Sequence, residues 1–343
     1  MGRVTRAVAP AAFRAVHGRR LASVVVEAAE IGRTDGLATL AEAAELLDAE
    51  LSHQKWQDAT HLEWLYHANP YGPGIYGFRR EGERVDAHYA NIPQLYRTPD
   101  GPMRMMFSLN AVTRSVAQRK GHFWSIAEEL YARDLAEYGA QGVIGVSNDN
   151  STPPVVKKLD FRLLGPLPVR VVPAGPAEDV DSVQVTPEWL ASPAAEEVLD
   201  GLDHPTEWGW RNMTTLEYLR WRLASPNTDP FHVHVGRDLV AVSTTDSMGP
   251  VPAAVVLKLM PRRPTASGAT VSAQRIVGAI CRYHRAPFAV YAGFNGRVRL
   301  RGASPPRKVQ PSPLNLIYRS LTDRAPKLGF RLETFEFLDM DAY

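Results

Sequence analysis

The chain has 343 residues, which is enough for one large domain or two ordinary ones. Hydrophobic residues make up 45% of it and charged residues 22%, a composition typical of a globular protein and not of a disordered or fibrous one. The net charge of +2 does not require a nucleic-acid partner, and the single cysteine, Cys281, excludes an intrachain disulfide and a zinc site of the thiolate type.

The N-terminal segment is predicted to be a mobile tail. Residues 1–20 carry five arginines and no acidic residue. The apolar stretch that follows, residues 21–26, is too short for a secretory signal and is ended by Glu27. No run approaches the roughly 20 apolar residues of a membrane span. With a lone cysteine, these features predict a cytoplasmic protein that has no membrane partner.

Strands and helices are predicted to alternate after the tail. Residues 22–29 are rich in β-branched residues, and Leu37–Leu51 has the apolar spacing of an amphipathic helix. A second helix, His61–Ala68, ends just before a proline. Two strands, Ile75–Phe78 and Val85–Ile92, flank a Glu-Gly-Glu turn.

The next segment predicts an anion site. A strand-like run, residues 105–109, leads into a cationic glycine loop at residues 118–123, which opens a helix that stops at Gly139. A second strand, residues 142–146, ends in the polar corner at residues 148–151. Unpaired N–H groups and the helix dipole favour an anion at such a helix start, so we expect this loop to bind phosphate.

This segment resembles the acyl-CoA-binding core of the GNAT acyltransferase superfamily. The family loop reads Arg or Gln, two residues, Gly, one residue, then Gly or Ala, and here Gln118, Gly121 and Phe123 take those places. Phe123 departs from the general signature. With this Phe, the loop is similar to that of a subgroup found beside polysaccharide and natural-product genes. The corner Asn148-Asp149-Asn150-Ser151 and the run Trp64-Leu65-Tyr66-His67-Ala68-Asn69-Pro70 resemble motifs of the same subgroup. The resemblance covers about residues 20–172.

The resemblance implies a fold and a donor site. The implied fold is α/β (α+β), with a mixed, mostly antiparallel, V-shaped sheet, and the implied cofactor is acetyl-CoA or another acyl-CoA lying between two diverging strands. Asn148 would contact the donor arm and take part in catalysis, and Ser151 would start the next helix. The implied cofactor-binding residues are Asn110, Ala111, Val112, Thr113, Gln118, Arg119, Lys120, Gly121, His122, Phe123, Asn148 and Ser151.

Two positions depart from the family pattern and leave the acid and the base open. Val156 stands where many members have a tyrosine that protonates the leaving thiolate, and Asn110 stands where the subgroup often has aspartate. His88 is the best base by residue type, because imidazole titrates near neutral pH, although a half-buried strand histidine is the commoner case. The candidate substrate contacts are Glu63, Tyr66, Asp339 and Asp341.

The second half of the chain is interpreted as a degenerate repeat of the first. Residues 173–182 have the composition of a linker, so we predict domains at 21–172 and 183–343. The run Leu216-Glu217-Tyr218-Leu219 echoes Leu62-Glu63-Trp64-Leu65, and the order strand, helix, strand, Asn recurs over residues 253–295. No metal site is predicted, because His232 and His234 share a strand face without a third ligand at a suitable spacing.

The predicted function is acyl transfer from an acyl-CoA thioester, acetyl-CoA most simply, to an amine of a small molecule or peptide. Two alternatives stay open. Related tandem proteins take an aminoacyl group from charged tRNA, which the alternating Arg297, Arg299 and Arg301 and the pair Arg262-Arg263 would suit. The second alternative is a non-catalytic ligand-binding or scaffold protein with a dead GNAT fold, which the departures at Val156 and Asn110 favour. The sequence names neither the acceptor nor the oligomeric state.

Overall fold

A computed structural model describes residues 30–32, 36–51, 58–206, 209–226, 229–248, 250–266, 268–306, 313–323 and 331–340. The predicted tail, the first predicted strand and Asp341 lie outside these residues. The described helices are α1 (Gly36–Glu50), α2 (Ala59–His67), α3 (His122–Tyr138), α4 (Thr152–Lys158), α5 (Pro187–Leu190), α6 (Pro193–Leu199), α7 (Leu216–Leu223) and α8 (Gln274–Tyr283). None of these helices has the length and apolar content needed to cross a membrane.

The strands form two large sheets and one small pair. Strands of the first half of the chain are β1 (Glu30–Gly32), β2 (Ile75–Glu81), β3 (Arg84–Thr98), β4 (Gly101–Thr113), β5 (Gly142–Ser147), β6 (Arg162–Pro166) and β7 (Val169–Pro173). Those that follow are β8 (Asp181–Gln184), β9 (Arg211–Asn212), β10 (His232–Val235), β11 (Leu239–Met248), β12 (Val251–Pro261), β13 (Val271–Ser272), β14 (Phe288–Asn295), β15 (Val298–Arg299), β16 (Asn315–Ser320) and β17 (Thr334–Glu336).

The first sheet is mixed and mostly antiparallel, as predicted. Its order is β1-β2-β3-β4-β5-β16-β6, and β9 also pairs with β3. Only β4 and β5 are parallel, and their pairing covers residues 106–108 and 143–145 before the two strands diverge. Helix α3 covers one face with Ile126 and Leu130, while α1 and α2 cover the other face with Leu47 and Leu62. The divergence gives the sheet its V shape between these two layers.

The second sheet repeats this arrangement. Its strands run β8-β10-β11-β12-β14, with β7 and β17 both pairing with β14. The parallel pair here is β12 with β14, over residues 254–256 and 289–291, and α8 connects the two strands. The predicted recurrence of strand, helix and strand is therefore present in β12, α8 and β14, although the helix α4, which follows β5, has no counterpart after β14 among the described residues.

Each sheet is completed by a strand from the other half of the chain. Strand β16 lies between β5 and β6 of the first sheet and is antiparallel to both. Strand β7, which follows β6 directly, pairs instead with β14 of the second sheet. This exchange crosses the predicted boundary at residue 172. The division into domains stays a prediction, and the two sheets depend on each other for their hydrogen bonds.

Helices α2 and α7 meet in a reciprocal contact between the halves. Trp64 Nε1 donates to the carbonyl oxygen of Trp221 at 3.1 Å, and Trp221 Nε1 donates to that of Trp64 at 3.2 Å. The two helix caps, Asp58 and Thr215, are offset by the same 157 residues as the two tryptophans. Trp221 is thus the counterpart of Trp64, and the echo that matched Trp64 to Tyr218 was wrong by three residues. Helical patterns nearly repeat every three to four residues, so the echo could not define the register.

The predicted linker is tied to α8. Residues 174–180 have no regular secondary structure, but Ala174 N donates to Pro287 O at 2.9 Å and Glu178 N donates to Arg275 O at 3.3 Å. A Cβ atom on Gly278 of α8 would lie 2.4 Å from the carbonyl oxygen of Pro176. Only glycine allows helix and linker to approach this closely.

We expect Gly278→Ala to destabilise the protein by about 1–3 kcal/mol, because the added methyl group collides with the backbone. The better helix propensity of alanine offsets part of this loss. The matched control is Gly175→Ala in the linker itself, where the nearest atom to the new Cβ is 3.9 Å away. Urea unfolding of both variants measures the difference. A Gly278→Ala protein as stable as the control would show that the linker moves away freely.

Candidate functional site

A cleft of about 670 Å³ opens where β4 and β5 diverge. Residues 108–113 of β4, the start of α3 and the corner after β5 form its walls, and Ile317 of the exchanged strand lies inside it. The last parallel pair is Ser108 with Gly145. Beyond this pair the edge of β4 that faces the gap has no partner on β5, so its backbone polar groups can bond to a ligand or to water.

A β-bulge shapes the strand wall of the cleft. The register between β3 and β4 shifts so that Asn110 and Ala111 together lie opposite Tyr89. Asn110 has φ 52°, a left-handed conformation that asparagine tolerates better than most residues. Bulges redirect a strand locally, and strained backbone of this kind is common at functional sites. The bulge turns β4 away from β5 at the start of the gap.

The start of α3 opens onto the cleft. Gly121 caps the helix with φ 87°, and residues 121–124 all line the cavity. Arg119 lines it as well, whereas Lys120 faces Glu81 at 2.8 Å outside it. Lys158 adds a second cation to the lining and stacks on Trp124 at 4.7 Å. The helix N-terminus and these cations make this end of the cleft suitable for phosphate groups.

The corner after β5 is organised by one side chain. Asn148 Oδ1 accepts hydrogen bonds from the N–H groups of Asn150 at 3.0 Å and Ser151 at 2.9 Å. Among the described residues its amide nitrogen has no partner, and Asn148 lines the cleft. Ser151 caps α4 by position and bonds to Asn148 through its hydroxyl group. Asn148 can therefore hold the turn and donate to a ligand at the same time.

The structure brings nearly all of the predicted cofactor residues together. Lys120 is the exception, because it pairs with Glu81. The predicted residues that line the cleft are Asn110, Ala111, Val112, Thr113, Gln118, Arg119, Gly121, His122, Phe123, Asn148 and Ser151.

His88 does not line the cleft. It is fully buried, and its Nε2 accepts a hydrogen bond from Tyr66 Oη at 2.9 Å, which in turn accepts one from Asn110 Nδ2 at 2.8 Å. Burial lowers the pKa of His88 to about 4, so the ring is neutral at pH 7. Alternation along β3 turns His88 toward α2 and its neighbour Tyr89 toward the cleft. His88 and Tyr66 thus support Asn110 from behind and cannot touch an amine in the cleft.

The other predicted substrate contacts also lie elsewhere. Glu63 pairs with His67 Nδ1 at 2.8 Å on the outer side of α2. Asp339 is buried in the second half and bonds to Lys258 Nζ at 2.6 Å. Val156 is 38% exposed and does not line the cleft, although its neighbour Val155 does.

Sequence reasoning missed the hydroxyl groups at the inner end of the cleft. Tyr89, Ser108 and Tyr131 all line the cavity. Tyr89 Oη donates to Ser108 Oγ at 2.8 Å and lies 2.8 Å from Tyr131 Oη. Only Tyr131 carried a signal, as a tyrosine on the apolar face of the predicted helix. The other two come from neighbouring strands whose register is not evident in the sequence.

The corresponding gap in the second half is partly filled, and a smaller cavity of about 300 Å³, lined by Leu259 and Tyr291, remains there. Beyond Val256 and Tyr291 the strands β12 and β14 diverge, but the Glu336 carboxylate accepts from Leu259 N at 3.2 Å and from Tyr291 Oη at 3.0 Å. Lys258 Nζ lies 3.3 Å from the same carboxylate. Burial raises the pKa of Glu336 to about 7. The side chain of Glu336 from β17 therefore occupies part of the place that is open in the first half.

Of the two strand histidines, His234 is engaged with serines on both ring nitrogens. His234 Nδ1 lies 2.7 Å from Ser182 Oγ, and its Nε2 lies 2.8 Å from Ser243 Oγ. In the described part of the chain, no group of three or more His, Cys, Asp or Glu residues is arranged to hold a metal ion.

The chain is similar to solved structures that include two named N-acetyltransferases and a probable N-acyltransferase. A GCN5-related N-acetyltransferase from Anabaena variabilis ATCC 29413 matches with a TM-score of 0.57 and 9% identity, over 86% of this chain and 73% of that one. One from Kribbella flavida matches with a TM-score of 0.51 and 11% identity, over 87% and 72%. A protein from Enterococcus faecalis V583, named a probable N-acyltransferase, matches with a TM-score of 0.57 and 11% identity, over 85% and 73%.

No family model matches the sequence, and no curated protein matches it. The likeness to the solved structures extends over both halves of the chain at low identity. The molecule therefore has the fold of the GNAT N-acetyltransferases.

Proposed function

We propose that the protein transfers an acyl group from an acyl-CoA thioester to an amine of a small molecule or peptide. The observation that carries this proposal is the single cleft in which an open helix N-terminus, a bulged strand edge and a polar corner meet. The fold shared with N-acetyltransferases supports the same class of reaction. An acyl-CoA donor and the lone cysteine also favour a cytoplasmic location.

The donor would lie along the cleft with its pyrophosphate at the start of α3. Backbone N–H groups of the first turn, Arg119 and Lys158 supply hydrogen bonds and positive charge there. The pantetheine arm would follow the free edge of β4 toward Ser108, with Asn148 on the opposite wall. An extended amide-containing arm suits an unpaired strand edge, because its amides can replace the missing strand.

The chemistry then depends on positioning. The amine nitrogen forms a bond to the thioester carbonyl carbon, the carbon–sulfur bond breaks, and the CoA thiolate leaves. Backbone N–H groups at the bulge around Asn110 would stabilise the negative charge that develops on the carbonyl oxygen. Val156 cannot protonate the thiolate, and His88 is buried, so the amine proton would leave through water.

One observation bears on the charged-tRNA alternative. Arg297 is buried and its Nε donates to Glu333 Oε1 at 2.7 Å, while Arg299 and Arg301 are exposed. The three arginines therefore do not form one exposed row for an RNA backbone. Sensitivity of the activity to RNase would nevertheless favour that donor, and CoA binding without turnover of any amine would favour the scaffold alternative.

We expect Asn148→Asp to lower CoA affinity at least tenfold, or about 1.4 kcal/mol, without lowering the melting temperature. Aspartate keeps the oxygen that holds Asn150 and Ser151, but it loses the amide donor and adds a negative charge beside the donor arm. Calorimetry with CoA measures the effect, and Gln141→Glu, which adds the same charge just before β5, is the control. Unchanged affinity in Asn148→Asp would place the donor arm elsewhere.

A further inference from the structure

A chain of three hydroxyl groups lies at the apex of the V. Tyr131 of α3, Tyr89 of β3 and Ser108 of β4 follow one another at 2.8 Å and 2.8 Å. Ser108 belongs to the last parallel pair before β4 and β5 diverge, and all three residues line the cleft. The two tyrosines are almost fully buried, whereas Ser108 is partly exposed. The chain thus runs from the interior toward the cleft and ends at Ser108.

The hydrogen-bond directions along this chain follow from proton counting. Tyr89 donates its one proton to Ser108 Oγ, so the contact between the tyrosines must be donated by Tyr131. Burial raises the pKa of both tyrosines well above the ordinary value, so both keep their protons. Among the described residues no acceptor takes the proton of Ser108. The chain of hydroxyl groups therefore ends in a donor, Ser108, at the cleft, and cooperative polarisation strengthens this donor.

The position of Ser108 matches the acyl end of the donor. Thr113 at the end of β4 and Gly121 at the start of α3, where the pyrophosphate would bind, line the same cleft as Ser108. The five residue steps from Thr113 back to Ser108 span about 16 Å of strand. An extended pantetheine arm has a comparable length, so its thioester and acyl group would reach Ser108.

We propose that the Tyr131–Tyr89–Ser108 chain forms an acyl subsite that selects acyl groups with a hydrogen-bond acceptor, such as a hydroxyacyl group, over aliphatic ones. This inference rests on the proposed function and names its donor class. A terminal donor that meets an aliphatic group loses a hydrogen bond it would otherwise make to water.

Two thioesters of equal size test the subsite. In glycolyl-CoA a hydroxyl group replaces the terminal methyl group of propionyl-CoA, so any difference in affinity reports the hydrogen bond. Calorimetry on the full chain is expected to favour glycolyl-CoA by about 3- to 10-fold. Ser108→Ala should bring the ratio close to one, and Tyr89→Phe should lower it in part, because Ser108 keeps its proton but loses the hydrogen bond that polarises it. Tyr138→Phe is the control, because this tyrosine of α3 bonds to Pro73 O outside the cleft and should keep the ratio.

Equal affinities in the unaltered protein, or a preference that survives both substitutions, would overturn the subsite. The affinity for CoA without an acyl group distinguishes failure of the subsite from failure of the proposed function. If CoA binds and the ratio is one, only the subsite fails, whereas the absence of any CoA binding refutes the proposed function. Should Tyr89→Phe lower the melting temperature, Ser108→Ala decides the outcome, because it removes the cleft-facing hydroxyl of the chain.

Discussion

Replacing Gly121 with glutamate is expected to abolish CoA binding while the protein remains folded. Gly121 caps α3 at the edge of the cleft, and a Cβ atom there would meet no protein atom within 4 Å, so the new side chain has room. Its negative charge would lie where the pyrophosphate is proposed to bind, so it would repel the phosphate groups and neutralise the positive charge of the helix N-terminus and Arg119. We expect a loss of affinity of roughly 100-fold or more, about 2.7 kcal/mol.

The helix offers a matched control for this substitution. Gly139 ends α3 with φ 60°, also in the left-handed region and also with open space around its Cβ position. Gly139→Glu therefore introduces comparable backbone strain and the same charge at the opposite end of the helix. Calorimetry with CoA and a thermal melt of both variants complete the test. Equal CoA affinity in the two variants would remove the phosphate site from the start of α3.

Separating the halves is expected to abolish folding of the first half. A fragment of residues 1–176 lacks β16, so β6 has no partner and β5 keeps only its short parallel pairing with β4. Leu316 and Ile317 would also be missing from the core that they fill at 3% exposure each. Because these hydrogen bonds and apolar contacts hold one side of the sheet, we expect an aggregated or unfolded fragment without a cooperative melt.

Restoring the missing strand is the sharper part of this experiment. Fusing residues 313–323 to the fragment through a flexible linker of about ten residues should return a cooperative melt, whereas a scrambled version of the strand should not. Co-expression with residues 177–343 should likewise yield a complex of the two fragments. A fragment of residues 1–176 that melts cooperatively on its own would show that the strand exchange is not needed for stability.

The local segment around the cleft was predictable because its information is contiguous. A strand, a glycine loop, a helix with apolar spacing and an Asn-Ser corner follow one another within residues 105–151, and each has a local physical cause. Gly121 takes a left-handed conformation, and Asn148 bonds to the N–H groups that follow it. Such preferences act within a few residues, so they fix the loop, the helix start and the corner. The cofactor residues themselves were implied by the GNAT resemblance, and eleven of them line one cavity.

The sequence could not show that His88, the best base by residue type, is buried away from the cleft. His88 and Tyr89 are adjacent on β3 and point to opposite faces of the sheet. Residue type favoured His88, but the side that faces the cleft is decided by which helix packs on which face. Tyr89 therefore lines the cleft, and His88 bonds to Tyr66 behind Asn110.

By itself, then, the sequence predicted the strands and helices around the cleft, the recurrence of strand, helix and strand in the second half, and the glycine loop before α3 that we propose binds phosphate. Tertiary structure alone decided that β7 and β16 exchange sheets, that Trp64 meets Trp221, and that Glu336 partly fills the second gap. The physical reason is range. Periodicity and capping act between neighbours along the chain. Strand pairing and the lining of the cleft depend instead on contacts between residues tens to hundreds of positions apart, and a β-prone run does not specify its partner strand.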